Sequence, residues 1–374
     1  MEKKGDSSWS DKLRKIISIA LESHYFSACS VGYFKFDTDT RCCDALHCGF
    51  TDKDERGYRV DNKSVYDLAS LTKPLVTSLA IMALRDKGKI ALEDEIGTYL
   101  SGMGKEAGQI RISHLLTHSS GLPAHKPYYE ILVGYPQYER REKLIYLISQ
   151  EKLLFRPGGY TLYSDLGFIL LGYLIENITG FPLDIFWKNE IVRPLGLHEE
   201  LFFTNTQRLD SDVCVATGRC GWSNRRLCGI VHDDNCRAMG GVAGHAGLFG
   251  TLSGVMSLTG NILQQVRGLS RHPAYDNTII KEFLTKRRGA TRAYGFDIPS
   301  SANSSSGKYF SEMSVGHLGF TGTSFWLDIL RGSAVVLLTN RVLMGNDMQQ
   351  IRKFRPLIHD IIMENLLKKP DRQQ

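Results

Sequence analysis

Three serines in this chain stand three positions ahead of a lysine: Ser70 and Lys73, Ser149 and Lys152, Ser305 and Lys308. A serine hydroxyl keeps its proton at neutral pH and becomes a nucleophile only beside a base. Residues i and i+3 share one face of a helix. At a helix start the pair also meets unpaired N–H groups and the positive end of the dipole, which favour an oxyanion and are expected to depress the lysine pKa. Context separates the three matches. Ser149 ends a helix ahead of Phe155-Arg156-Pro157-Gly158-Gly159, and Ser305 lies in a polar loop. Ser70 opens the long apolar stretch LTKPLVTSLAIMALRDK. The plainer reading of Ser70 is a helix cap beside a solvated lysine, and the pattern alone divides evenly between the two.

Tyr163-Ser164-Asp165 follows a Pro-Gly-Gly turn and precedes the apolar run Leu166 to Ile178. A tyrosine there can relay protons, and Asp165 can accept a hydrogen bond from Lys73 or from a substrate amide. The alternative is a loop aromatic with an aspartate cap. Tyr275-Asp276-Asn277 is a rival for the same role, in a polar stretch after His272-Pro273. A third candidate is His317-Leu318-Gly319-Phe320-Thr321-Gly322-Thr323-Ser324. Gly319 would let a ligand approach the backbone, and a strand edge there could supply an oxyanion N–H. The alternative is a hairpin turn with a solvent histidine. The glycine-rich loop 240–250 does not follow a strand and open a helix, so it reads as packing near a site and not as a phosphate loop. No G-x-S-x-G is present, which argues against an α/β-hydrolase.

These groups need a frame. Alternation marks strands at Ala28–Phe34, at a stretch ending in Gly49-Phe50-Thr51, at Phe325–Ile329 and at Ala334–Thr339. Helical patterning covers 71–87 with a stop at Gly88, then 110–121, 138–153, 164–180, 181–200, 253–267 and 349–367. Residues 204–250 are loop-rich, and Ser300 to Gly307 reads as a hairpin loop. Strands at both ends and helices between them predict an α+β fold. One antiparallel sheet, flanked by helices, would take an inserted helical region at about 90–290. The whole of 1–374 reads as one catalytic domain.

The net charge of +6 suggests a nucleic-acid binder only if the cations cluster. They are scattered, with short runs at Arg140-Arg141 and Lys286-Arg287-Arg288, so no nucleic-acid partner is expected. No stretch approaches the ~20 apolar residues of a membrane span. The N-terminus lacks a continuous apolar core, and Ser10 with Leu13, Ile16, Ile17, Ala20 and Leu21 predicts a capped amphipathic helix. The chain reads as cytoplasmic, with reduced thiols. Cys214, Cys220, Cys228 and Cys236 lie near His232 and His245, but lack the close pairs of a structural zinc site. No metal or cofactor is expected.

In this order the three motifs resemble the S-x-x-K, S-D-N and K-T-G set of serine β-lactamases and penicillin-binding proteins. The match is nearest the class C β-lactamase-like branch, where Y-x-N replaces S-D-N, and it spans roughly residues 15–365. Ser113–Pro123 (SHLLTHSSGLP), Phe155–Gly158 and Val192–Leu197 add to it. Two positions depart: Asp165 stands for the usual Asn, and His317 for the Lys of K-T-G. Histidine there is similar to esterase, D-aminopeptidase and carboxypeptidase relatives.

The resemblance implies an acyl-transfer hydrolase. Ser70 would attack a carbonyl with Lys73 and Tyr163 as helpers, and the N–H groups of Ser70 and Phe320 would hold the oxyanion. Asp165, His317, Gly319 and Phe320 would bind substrate: a small-molecule ester, a D-amino-acid peptide or a β-lactam. A histidine partly charged at pH 7 predicts poor β-lactam turnover and an affinity for acidic substrates that falls between pH 6 and 8. The alternative is a catalytically weak penicillin-binding or scaffold protein.

Overall fold

The computed structural model describes residues 7–36, 41–53, 57–204, 209–287, 290–345 and 347–368. The central sheet follows from alternation. In Ser333–Thr339, Val335 and Leu337 face one side, with Val31 and Tyr33 of Ala28–Phe36. Ala334, Val336, Leu338 and Phe34 face the other. Successive strand side chains point to opposite faces, so this sheet is apolar on both and must be covered on both.

Five antiparallel strands run in the order Arg41–Gly49, Ala28–Phe36, Ser333–Thr339, Ser324–Asp328, Ser314–Leu318. The pairing Cys29↔Thr339 through Lys35↔Ser333 joins the two ends of the chain. On one face Ser7–Glu22 and Met348–Lys368 pack Leu13, Ile17, Ile358 and Ile362 around Val335 and Trp326. Each fully buried aliphatic side chain of this kind contributes about 1.5–3 kcal/mol. On the other face Leu252–Val266 sits so close that a Cβ at Gly32 would stand 2.3 Å from Met256 Sδ. The helices between residues 79 and 284 are inserted between the N-terminal hairpin and the three C-terminal strands, and the fold is α+β. Among the described residues no single helix is long and apolar enough to cross a membrane.

Several elements differ from their sequence patterns. The stretch expected as one helix over 71–87 is a 3-10 turn (Ala69–Leu71), a wide π turn (Lys73–Ser78) and an α-helix (Leu79–Asp86). Pro74 has no N–H to give the carbonyl one turn back, and within the wide turn Ser78 Oγ donates to the Lys73 carbonyl at 3.0 Å. The stop at Gly88 holds, at φ +65°. The N-terminal helix begins at Ser7, so Ser10 lies within it and does not cap it; residues 1–6 lie outside the described residues. The segment 181–200 breaks into three short turns, Leu183–Trp187, Lys188–Val192 and Arg193–Leu195. The loop containing 300–307 leaves and returns at the antiparallel bridge Asp297↔Gly316 and docks on the terminal helix, where Lys308 N donates to Asp360 at 2.7 Å. Of the basic run at 286–288, Arg288 lies outside the described residues, and Arg287 stacks on Tyr294 at 3.6 Å.

Candidate active site

Ser70 sits on a turn under strain. Ala69 before it has φ +48° and is buried, a backbone region that L-residues enter at a cost of order 1–3 kcal/mol. The turn is held from several sides. Ala69 N donates to Asp67 Oδ1 at 2.8 Å, and Thr72 Oγ1 donates to the Ala69 carbonyl at 2.6 Å. Thr321 and Thr323 reach across from the third motif to the carbonyls of Asp67 and Leu68, at 2.8 and 3.2 Å.

Lys73 is fully buried. Its Nζ donates to Ser70 Oγ at 3.1 Å, Asp165 Oδ1 at 2.7 Å and the His245 carbonyl at 3.2 Å. Three acceptors saturate the three protons of an ammonium. The expectation of a depressed lysine is therefore corrected. Burial lowers the Lys73 pKa, but the Asp165 carboxylate outweighs it and the net direction is up.

Tyr163 is placed by His118, itself left-handed at φ +55°. The His118 carbonyl accepts from Leu162 N at 2.8 Å, and Nδ1 accepts from Ser164 N at 2.9 Å. Its ring stacks on Tyr163 at 4.4 Å. Lys73 Nζ lies 4.8 Å and Arg292 Cζ 5.2 Å from the Tyr163 ring centroid. The phenol stands beside Lys73 and Ser70; burial raises its pKa more than these neighbours lower it. The rival Tyr275 is buried elsewhere, stacked on His272.

Asp165 opens the helix Asp165–Thr179, which Ser164 caps by accepting from Gly167 N at 3.4 Å. Burial would raise its carboxyl, yet the Lys73 ammonium and His125 hold it far below the usual range. His125 Nδ1 stands 3.5 Å from Asp165 Oδ2. Asp233 pairs with His245 Nε2 at 2.9 Å. His125, Asp165 and Asp233 bring ligand atoms within 4.8 Å of one another, but Asp165 is already held by the Lys73 ammonium and Asp233 by the His245 ring. The cysteines near His232 and His245 take other partners: Cys228 Sγ donates to the Cys214 carbonyl and Cys236 Sγ to that of Ala246.

His317 lies on Ser314–Leu318, paired across from Phe325. Its Nδ1 donates to the Leu318 carbonyl at 2.9 Å, and Nε2 has no partner among the described residues. Burial pushes its pKa down to about 4, so it is neutral at pH 7 and the partly charged histidine expected from sequence is corrected. A Cβ at Gly319 would stand 1.9 Å from Thr323 Oγ1 and 2.9 Å from the Leu68 carbonyl, so the fold itself leaves no room for a side chain there. Phe320 follows, half-exposed at 49%. Neither Ser70 N nor Phe320 N has an acceptor among the described residues.

The structure thus brings Ser70, Lys73, Tyr163, Asp165 and His317 into one cluster, with Gly319 and Phe320 following His317. Sequence reasoning missed His118, His125, Asp233, His245 and Arg292 as neighbours of that cluster. It also missed Arg355, a fully buried residue of the terminal helix that donates to the carbonyls of Gly319 and Thr323 at 2.6 and 2.9 Å. The usable signals were the SHLLTHSSGLP stretch for His118 and the glycine-rich loop for His245.

A family model described as beta-lactamase matches residues 28–358. A putative D-alanyl-D-alanine carboxypeptidase of Escherichia coli (strain K12) is 31% identical over 310 residues, which cover 77% of this chain and 71% of the relative. Among solved structures, the octameric penicillin-binding protein homologue from Pyrococcus abyssi superposes with TM-score 0.70 at 19% identity, covering 96% of this chain and 82% of its own. EstCE1, a hydrolase with promiscuous acyltransferase activity, gives TM-score 0.67 at 20% identity, covering 94% and 99%.

Proposed function

Because this chain belongs to the beta-lactamase family, within the serine β-lactamase and penicillin-binding protein superfamily, we propose that it is a serine hydrolase that forms an acyl-enzyme at Ser70. The observation that carries this reading is Lys73 Nζ, buried and 3.1 Å from Ser70 Oγ, with the Tyr163 phenol on the same pair.

In the resting site Lys73 is an ammonium, so the reactive form holds one proton fewer, shared between Lys73 and Tyr163. Ser70 Oγ then gives its proton to that pair and bonds to the carbonyl carbon. The N–H groups of Ser70 and Phe320 take the oxyanion. Tyr163 returns the proton to the departing oxygen or nitrogen as its bond to carbon breaks. Water repeats the cycle on the ester of Ser70, releasing the acid and restoring the hydroxyl.

The substrate class follows from charge. The family's lysine position holds a neutral His317, and the Arg292 guanidinium near it is tied to Asp297. A free carboxylate beside the leaving group therefore meets less positive charge than in a β-lactamase, which favours neutral esters and amides over β-lactams and over D-peptides that end in a free carboxylate. A panel of nitrophenyl esters, D-Ala-D-Ala peptides and nitrocefin tests this. Ester turnover well above nitrocefin and above the D-Ala-D-Ala peptides is expected; efficient nitrocefin hydrolysis overturns the preference, and no turnover with no covalent labelling favours the scaffold reading.

A further inference from the structure

On the far side of His232 from the Phe320 ring lies a cavity of about 590 Å³. Lys53, Arg219, Arg226 and Arg237 line it, against the carboxylates Asp52 and Asp234. Arg226 takes Asp52 at 2.6 Å and Arg237 takes Asp234. Lys53 and Arg219 have no carboxylate partner among the described residues. The wall at Val342 and Leu343 follows directly on Arg341, which is 3% exposed. All three of its guanidinium nitrogens lack a hydrogen-bond partner among the described residues; the Phe320 ring lies 4.5 Å from Cζ, and the Asp347 carboxylate acts on it without a hydrogen bond. A buried guanidinium without an acceptor is costly, and an anion placed nearby offsets that cost.

The cavity adjoins the reacting centre. His232 lines it, with its ring 5.9 Å from that of Phe320. His232 N donates to Asp67 Oδ2 at 2.7 Å, and the other oxygen of that carboxylate holds Ala69 beside Ser70. Tyr163, His317 and Arg292, on the leaving-group side, do not line it. We propose that this cavity receives an anionic group on the acyl half of the substrate, a carboxylate carried a few bonds from the carbonyl that Ser70 attacks. The proposal rests on the hydrolase reading for the word acyl, and on the cavity's charge for the rest.

The test separates the two. Ser70→Ala protein is titrated by calorimetry with nitrophenyl hydrogen glutarate and with its neutral counterpart nitrophenyl valerate. The glutarate should bind at least tenfold tighter at low salt, with a preference that shrinks as salt is added. In the same protein carrying Lys53→Glu and Arg219→Glu, both at exposed positions, the preference should drop below threefold. Equal binding of the two probes, or a preference the charge reversals leave intact, overturns the proposal. Wild-type turnover of both esters is read in parallel: hydrolysis of neither would sink the hydrolase reading, while the binding comparison still decides the cavity.

Discussion

Arg355 Nη2 donates to the Gly319 carbonyl at 2.6 Å, and that carbonyl shares a peptide unit with Phe320 N–H. In a trans peptide the two point in opposite directions. The guanidinium therefore turns the amide away from the terminal helix and polarises it as a donor. Arg355→Met should lower kcat by about 10-fold to 100-fold with little change in KM, less than or equal to the loss of a whole oxyanion donor. Arg355→Lys should recover part of it. A variant that shifts only KM, or only thermal stability, would refute the positioning role.

Fluorophosphonate labelling should require Ser70 and no other serine of the three lysine-spaced matches. Ser149 Oγ is committed to the Tyr146 carbonyl at 2.7 Å, and the Ser305 carbonyl is bound by His359 at 2.9 Å. Ser70→Ala is expected to abolish labelling, and Ser149→Ala and Ser305→Ala to retain it. Mass spectrometry of the labelled peptide reads the outcome directly.

Lys73 and Tyr163 share one proton, so their losses should not multiply. Lys73→Ala and Tyr163→Phe should each reduce kcat by a large factor, on the order of 10²–10⁴, and the double variant little further. Independent effects that multiply would show that the two act separately.

Asp165 sets the pH profile. Its carboxylate raises Lys73, and burial raises Tyr163, so the reactive form gains population only as pH climbs. kcat/KM for a neutral ester should rise above pH 7 in the wild type. Asp165→Asn removes the charge that holds Lys73 protonated, and should move that limb toward lower pH by about a unit or more. An unshifted limb would mean that Lys73 does not govern it.

His317 and His359 are pushed down to about 4 and about 3 by burial, and His118 is held well below its ordinary value. The unfolded chain protonates all three near pH 6.5, while the folded chain resists. Stability is then fully present above about pH 6.5 and is lost as pH falls toward 4, by up to ~3 kcal/mol for a histidine shifted like His317. Urea midpoints measured from pH 7.5 to 4.5 should fall steeply below 6.5. The fall in affinity for acidic substrates expected between pH 6 and 8 should be absent, because His317 is already neutral there.

What a chain can announce locally, this one announced. The helix Asp165–Thr179 was legible because its cap at Ser164, its apolar run and Gly180 at φ +73° act within a few residues of each other. The strand faces were legible because their period of two is a local property. The motifs carried Ser70, Lys73, Tyr163 and His317 because spacing along one turn, and order along the chain, survive in a string of letters. The charge on Lys73 did not, since it depends on Asp165 and the His245 carbonyl, 92 and 172 positions away. Neither did the neutrality of His317, which comes from its complete burial, nor the grip of Arg355 on Gly319 across 36 positions. A pKa answers to the distance of charges and the exclusion of water, and both are quantities of space that exist only once the sheet has brought the two ends of the chain together.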